Sequence, residues 1–172
     1  DCFRYPKSNP SIIERYNKPL YVAVKPRQQI VKAGETVVTD FYLINENDVK
    51  GHFVLSINLQ SVAGGVCTET NRQVKVIGGE TYGQLIADSV CLKLPSVGGL
   101  YRISARLLNE DGTSVTTGYD EGLVVDLSTN KLEGKGSVWE DGTAMASFLK
   151  GRTAQPVEKY RNDLGKLDWA LI

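Results

Sequence analysis

Phe53-Val54-Leu55-Ser56-Ile57-Asn58-Leu59 places large apolar side chains at every second position, with Val54, Ser56 and Asn58 between them. That period of two is the mark of a β-strand with one packed face and one wet face. The same pattern returns in Tyr101, Ile103, Ala105 and Leu107, whose intervening neighbours are Arg102, Ser104 and Arg106. The alternation predicts an inward set of Phe53, Leu55, Ile57, Leu59, Ile103, Ala105 and Leu107, with Ser56 facing solvent.

Working outward from these two runs, further strands are expected at Leu20–Lys25, Gln29–Lys32, Thr36–Asn45, Arg72–Ile77, Gln84–Leu94, Ser114–Gly118 and Gly122–Leu127. Turn residues separate them, and Asn109-Glu110-Asp111-Gly112 between two alternating runs is a hairpin signal, because Asp-Gly tolerates positive φ. Closely spaced strands without long intervening helices favour antiparallel pairing in a mainly β, immunoglobulin-like β-sandwich over residues 20–127. Residues 1–19 form a lead-in. Within it Asn9 caps a short helix that begins at Pro10, with Ile12, Ile13 and Tyr16 along one side.

After Leu127 the pattern changes. Residues 128–135 are polar and read as a linker, and residues 136–172 read as a short C-terminal α/β tail. A strand is expected at Gly136–Trp139, then a helix capped by Asp141 with Ala144, Met145, Phe148 and Leu149 at helical spacing. A second helical stretch follows at Pro156–Leu164, and a last strand runs through Leu167–Ile172. This order resembles the opening of a parallel α/β unit, which normally continues into further elements. The expectation is therefore a truncated segment whose open edge allows self-association.

At 172 residues, 41% hydrophobic and 23% charged, the composition is that of an ordinary globular chain. Twenty basic and twenty acidic residues cancel, so no net field gathers nucleic acid or an anionic membrane, and neither is expected as a partner. No stretch approaches the roughly 20 apolar residues of a membrane span. The N-terminus lacks a basic segment followed by an apolar signal core, which leaves a cytosolic chain or a signal further upstream. Cys2, Cys67 and Cys91 match no zinc pattern. Cys91 has the polar parity of Ser89 and Lys93, which argues against a core disulfide.

Candidate chemistry is sparse. His52 lies on a polar strand face. The neighbouring carboxylates Glu110 and Asp111, Asp120 and Glu121, and Glu140 and Asp141 are adjacent in sequence, whereas glycoside hydrolysis needs two carboxyls about 5 to 9 Å apart across a substrate. The glycine pairs Gly64-Gly65, Gly78-Gly79 and Gly98-Gly99 are followed by no phosphate-loop lysine. Trp139, Trp169 and Tyr119 remain as candidates for contact with a sugar or a neighbouring domain, since sugar rings stack on exposed aromatics. No catalytic, cofactor-binding or metal-binding residue is assigned, and no cofactor is expected.

Tyr16-Asn17-Lys18-Pro19-Leu20-Tyr21-Val22-Ala23-Val24-Lys25, followed by Asp40-Phe41-Tyr42-Leu43-Ile44-Asn45-Glu46, resembles a module of glycoside hydrolase family 2, the β-galactosidase, β-mannosidase and β-glucuronidase group. The resemblance covers about Cys2 to Leu127. It implies the immunoglobulin-like sandwich that follows the catalytic barrel in those enzymes, with Cys2-Phe3-Arg4-Tyr5-Pro6 as the exit from the barrel. Family 2 enzymes hydrolyse β-glycosides with two barrel glutamates, and neither has a counterpart here. The resemblance thus implies a noncatalytic part of a multidomain hydrolase, no enzyme by itself, with neighbouring domains of the parent as partners and a secreted or periplasmic setting. The alternative is a carbohydrate-binding or cell-surface interaction module. A strip of exposed aromatics would favour the alternative, and an apolar patch on an outer sheet face would favour the first reading.

Overall fold

The computed structural model describes residues 9–62, 65–80, 82–126, 131–139, 144–161 and 165–171. The chain divides into two compact units, Asp1–Val125 and Asp126–Ile172. The first opens with helix α1 (Pro10–Tyr16), where the Asn9 side chain accepts from Ser11 N at 3.1 Å. Ile12 and Ile13 on this helix are exposed.

Eight strands follow: β1 (Leu20–Pro26), β2 (Ile30–Lys32), β3 (Thr36–Asn45), β4 (Gly51–Ser61), β5 (Val66–Val76), β6 (Gly83–Lys93), β7 (Gly99–Leu108) and β8 (Ser114–Val125). They form a three-stranded sheet, β1-β3-β6, and a five-stranded sheet, β2-β8-β7-β4-β5. The chain changes sheet at β1–β2, β2–β3, β3–β4, β5–β6 and β6–β7. Hairpins join β4 to β5 and β7 to β8 within the larger sheet. All pairs are antiparallel except β2 with β8. This is a mainly β, two-sheet sandwich, as expected.

The core follows from pleat parity. Leu55, Ile57, Leu59, Ala105 and Leu107 are fully buried, and Phe53 and Ile103 nearly so, facing Val22, Val37, Phe41, Leu43, Val90 and Leu92 from the other sheet. Cys91 is free and exposed between buried Val90 and Leu92. Cys2 and the side chain of Cys67 lie outside the described residues. The predicted turn closes as expected: Gly112 has φ +84°, Asn109 N donates to Thr113 O at 2.9 Å, and Asp111 Oδ1 accepts from Thr113 N.

Several expectations need correction. Ser56 is buried, only 4% exposed, because β4 is a central strand and Ser56 lies in register between Asn71 on β5 and Arg106 on β7. Residues 114–118 and 122–127 are not two strands: β8 runs unbroken through Tyr119, Asp120 and Glu121, and Glu121 takes its place on the sheet by pairing with Arg102. β5 begins at Val66 rather than Arg72. Its polar first half pairs with β4 along the sheet edge, where a polar strand discourages further pairing.

The opening segment changes sheets between Pro26 and Ile30. Arg27 N donates to Val38 O at 2.9 Å, and Leu123 N reaches Gln29 O at 2.8 Å. Asp40 anchors this crossing. Its Oδ1 accepts from Ser89 N at 2.8 Å and from Arg27 Nη2 at 3.0 Å, and its Oδ2 accepts from Arg27 Nε at 3.1 Å. Ser89 has φ +51°, and the β3–β6 register shifts on either side of Phe41. The carboxylate thus holds an irregular stretch of β6 and the start of the crossing together. The Arg27 guanidinium, with the Ser89 N–H, lowers the Asp40 carboxyl below its ordinary range. Further along the seam, Thr116 Oγ1 donates to Leu20 O, and a Cβ on Gly118 would lie 1.6 Å from Val22 O.

The second unit contains β9 (Gly136–Val138), helix α2 (Ala144–Leu149), β10 (Glu158–Lys159) and β11 (Trp169–Leu171). β9 is central, and both neighbours are parallel to it in the order β10-β9-β11. Of the strand expected over Leu167–Ile172, Trp169–Leu171 is found beside β9 while Ile172 lies outside the described residues, and the helix over Ala144–Leu149 is found too. The helix over Pro156–Leu164 is not: Glu158 and Lys159 pair with Ser137 and Val138. Val157, Tyr160 and Leu164 stand at helical spacing in the sequence, but pairing with β9 overrides that local pattern, and residues 162–164 lie outside the described residues. Leu132 and Lys135, within the stretch read as a linker, are bonded to this unit through Arg152, Ala154 and Asp168. Asp141 lies outside the described residues.

Leu55→Ala or Ile57→Ala should cost about 2 to 5 kcal/mol. Gly118→Ala should cost on the order of 1–3 kcal/mol, because backbone must shift to admit the methyl. Chemical denaturation of each variant checks both, and unchanged midpoints would contradict the packing. The Asp40 carboxyl is depressed in the folded state, so its contribution is present above the unfolded carboxylate pKa of about 3.9 and is lost as pH falls through the lower folded value. Asp40→Asn should therefore reduce stability near neutral pH and flatten the acid limb of a stability–pH curve; an unaltered acid limb would show that the clamp carries no linkage.

Candidate functional site

The three residues named from the sequence fall in the two units, Tyr119 in the first and Trp139 and Trp169 in the second. Tyr119 lies on β8 in the first unit, with the Arg102 guanidinium carbon 4.2 Å from its ring centroid. Arg102 also grips Glu121 Oε1 through Nη2 at 2.6 Å and Nε at 2.9 Å. A groove of about 250 Å³ opens beside it between β1 and β8, and Lys18, Tyr21, Tyr119 and Asp120 contribute to its lining.

Trp139 and Trp169 sit at opposite ends of the small parallel sheet. Trp169 begins β11 in register with Gly136, and its ring lies where a Gly136 side chain would go: a Cβ there would fall 2.0 Å from the indole carbons. Its Nε1 donates to Glu133 O at 3.0 Å. Nearby, Lys135 N donates to Asp168 Oδ2 at 2.8 Å, and Asp168 N returns to Lys135 O at 2.9 Å. Both the ring's body and its polar edge are thus engaged, which gives Trp169 a structural role.

Trp139 is different. It follows β9 at the carboxyl end of the strand, is 60% exposed, and donates its backbone N–H to Leu171 O at 2.8 Å. On the other side Tyr160 N donates to Val138 O at 2.9 Å, carrying the β10 ladder one step beyond the strand. The Trp139 and Tyr160 rings consequently lie together, centroids 5.2 Å apart and tilted by 30°. Sequence reading missed Tyr160 because it placed that residue in a helix.

The second missed feature is an apolar row on the outer face of the five-stranded sheet. Ile30 (69% exposed) pairs in register with Leu123 (40%), and Leu123 pairs with Leu100 (54%). Val62 (48%) continues the row just past β4 by donating its N–H to Leu100 O at 2.9 Å. Each of the first three neighbours a buried residue on its own strand, Val31, Val124 and Tyr101, so parity sends it outward. The pattern was present in the sequence, but only the strand register shows that the side chains adjoin.

The carboxylates serve the backbone and the ion pairs. Asp111 closes the hairpin turn, Asp120 Oδ1 accepts from Glu121 N at 2.9 Å, and Glu121 holds Arg102. Glu140 and Asp141 lie outside the described residues. His52 is exposed on β4. Among the described residues no group of three His, Cys, Asp or Glu side chains is placed to hold a metal ion, and no helix is long and apolar enough to cross a membrane.

No family model matches the chain, and no curated protein matches it. Among solved structures it is similar to a cycloisomaltooligosaccharide glucanotransferase from Paenibacillus sp., with 15% identity and a TM-score of 0.45, covering 76% of this chain and 17% of that one. It is also similar to a glycosyl hydrolase family 2 member from Bacteroides cellulosilyticus, with 16% identity and a TM-score of 0.46, covering 73% and 20%. A Bacteroides uniformis beta-glucuronidase gives 15% identity and a TM-score of 0.42, covering 68% and 16%. The chain spans a fifth or less of the length of each of these proteins.

Gly136→Ala should push the Trp169 indole off β9, break its bond to Glu133 O, and destabilise the small unit by on the order of 1–3 kcal/mol. The indole N–H resonance of Trp169 and a thermal melt report this directly; an unchanged resonance would mean the ring does not need the glycine.

Proposed function

We propose that the chain is a noncatalytic module of a multidomain glycoside hydrolase of family 2, and that its work is to support a catalytic domain. The observation that carries this reading is the row Ile30, Leu123, Leu100 and Val62. Exposed apolar side chains in one contiguous line, with the Arg102–Glu121 ion pair beside them on β7 and β8, have the composition of a contact surface with a polar rim. A neighbouring domain of the same protein is the partner this reading calls for. The two segments that carry the family resemblance also turn out to be sheet partners, Leu20 to Lys25 on β1 against Asp40 to Asn45 on β3.

A carbohydrate-binding module is the second reading, and the exposed Trp139 beside Tyr160 favours it. The two are compatible in one protein, because a hydrolase module can both buttress and bind.

Sequencing the gene on both sides of this segment should reveal a catalytic barrel with two glutamates at strand ends in the same reading frame, and a frame without one would overturn the proposal. In the full-length protein Leu100→Asp should lower the melting temperature and glycosidase activity, while leaving the circular dichroism of the isolated sandwich unchanged. The isolated chain should turn over no nitrophenyl galactoside, glucoside, mannoside or glucuronide.

A further inference from the structure

The small parallel sheet runs in the order β10-β9-β11, so the chain passes from β9 to the neighbour on one side and then crosses to the other. In open parallel sheets, ligands bind outside the carboxyl ends of the strands at the point where the direction of winding changes. Here that point is the carboxyl end of β9. Trp139 emerges from it, with Tyr160 beyond the end of β10 on one side and Leu171 closing β11 on the other.

The platform is held from below. Trp139 N is bonded to Leu171 O and Tyr160 N to Val138 O, so both aromatic residues are extensions of the hydrogen-bonded ladder rather than members of a free loop. With centroids 5.2 Å apart and a tilt of 30°, the rings partly overlap, so Tyr160 braces one side of an indole that remains 60% exposed. Trp169 shows the contrast within the same sheet: its ring is packed on Gly136 and its N–H is bonded.

We infer that Trp139, braced by Tyr160, forms a stacking platform for a sugar ring of an oligosaccharide. A pyranose offers a C–H face to an aromatic ring while its hydroxyls remain in water, so it gains from such a surface without needing a deep pocket. The choice of a saccharide rests on the reading of the chain as part of a glycoside hydrolase; the place of the platform rests on the strand order and ring geometry alone.

The test uses the full chain, which has two tryptophans and hence two indole N–H resonances. Titration with cello-, manno- and galacto-oligosaccharides at millimolar concentration should shift the Trp139 resonance saturably and leave that of Trp169 in place. Trp139→Ala and Tyr160→Ala should each weaken binding about tenfold, and Trp139→Phe should restore most of it. A thermal melt of each variant separates lost binding from lost folding. No saturable shift with any of the oligosaccharides overturns the inference, as does a shift produced by adenosine monophosphate but by no saccharide. Failure here with a catalytic barrel present in the reading frame would leave the module reading standing, whereas saccharide binding without such a barrel would favour a free-standing binding module.

Discussion

The sandwich depends on fitting one extended segment, Leu20 to Lys32, against both of its sheets. β1 belongs to the three-stranded sheet and β2 to the five-stranded one, yet the whole segment runs beside β8. Backbone must therefore approach backbone twice. Gly118 faces Val22 O, and Gly122 faces Gln29 O, where a Cβ would stand 3.1 Å away. Neither glycine has a positive φ, so what each supplies is space. Without that clearance the first strand could not close the side of the core on which Val22, Val24 and Val31 are buried.

The placement of charge follows from the same need to hold turns and crossings. Asp40 holds the crossing through Arg27 and Ser89. Asp48 Oδ1 accepts from Gly79 N at 2.6 Å, tying the β3–β4 connection to the one between β5 and β6. Asn45, buried at the end of β3, exchanges two hydrogen bonds of 2.9 Å with Val49. Carboxylates engaged in this way are lowered below their ordinary range at Asp40, Asp48 and Asp111, each by hydrogen bonds to its structural partners. Such acids are poor proton donors near neutrality, and their shifts report architecture rather than catalysis.

Where side-chain parity alone decides burial, the sequence was legible. Leu55, Ile57, Leu59, Ala105 and Leu107 alternate because their strands have one wet face, and the same logic sends Cys91 outward. It failed at Ser56, because a central strand flanked by long polar side chains can be covered on its outer face too. It failed at Tyr119, Asp120 and Glu121, where three polar residues looked like a turn but continue β8. It failed at Glu158 and Lys159, whose strand exists only through pairing with β9, a nonlocal fact. The candidate residues divide similarly: Trp139 and Trp169 were both visible, but that one ring is exposed and the other packed on Gly136 depends on which neighbour each meets.

The parallel pairing of β2 with β8 has a mechanical consequence. Because both strands point the same way, tension applied between Leu20 and Val125 pulls them in opposite directions along their lengths. The bonds that join this segment to β8, including Leu123 N to Gln29 O and Ala33 N to Val125 O, then bear load together in shear instead of opening one after another like a zipper. A three-residue strand, minor in the thermodynamics of the core, thereby becomes the fastening through which the sandwich transmits force.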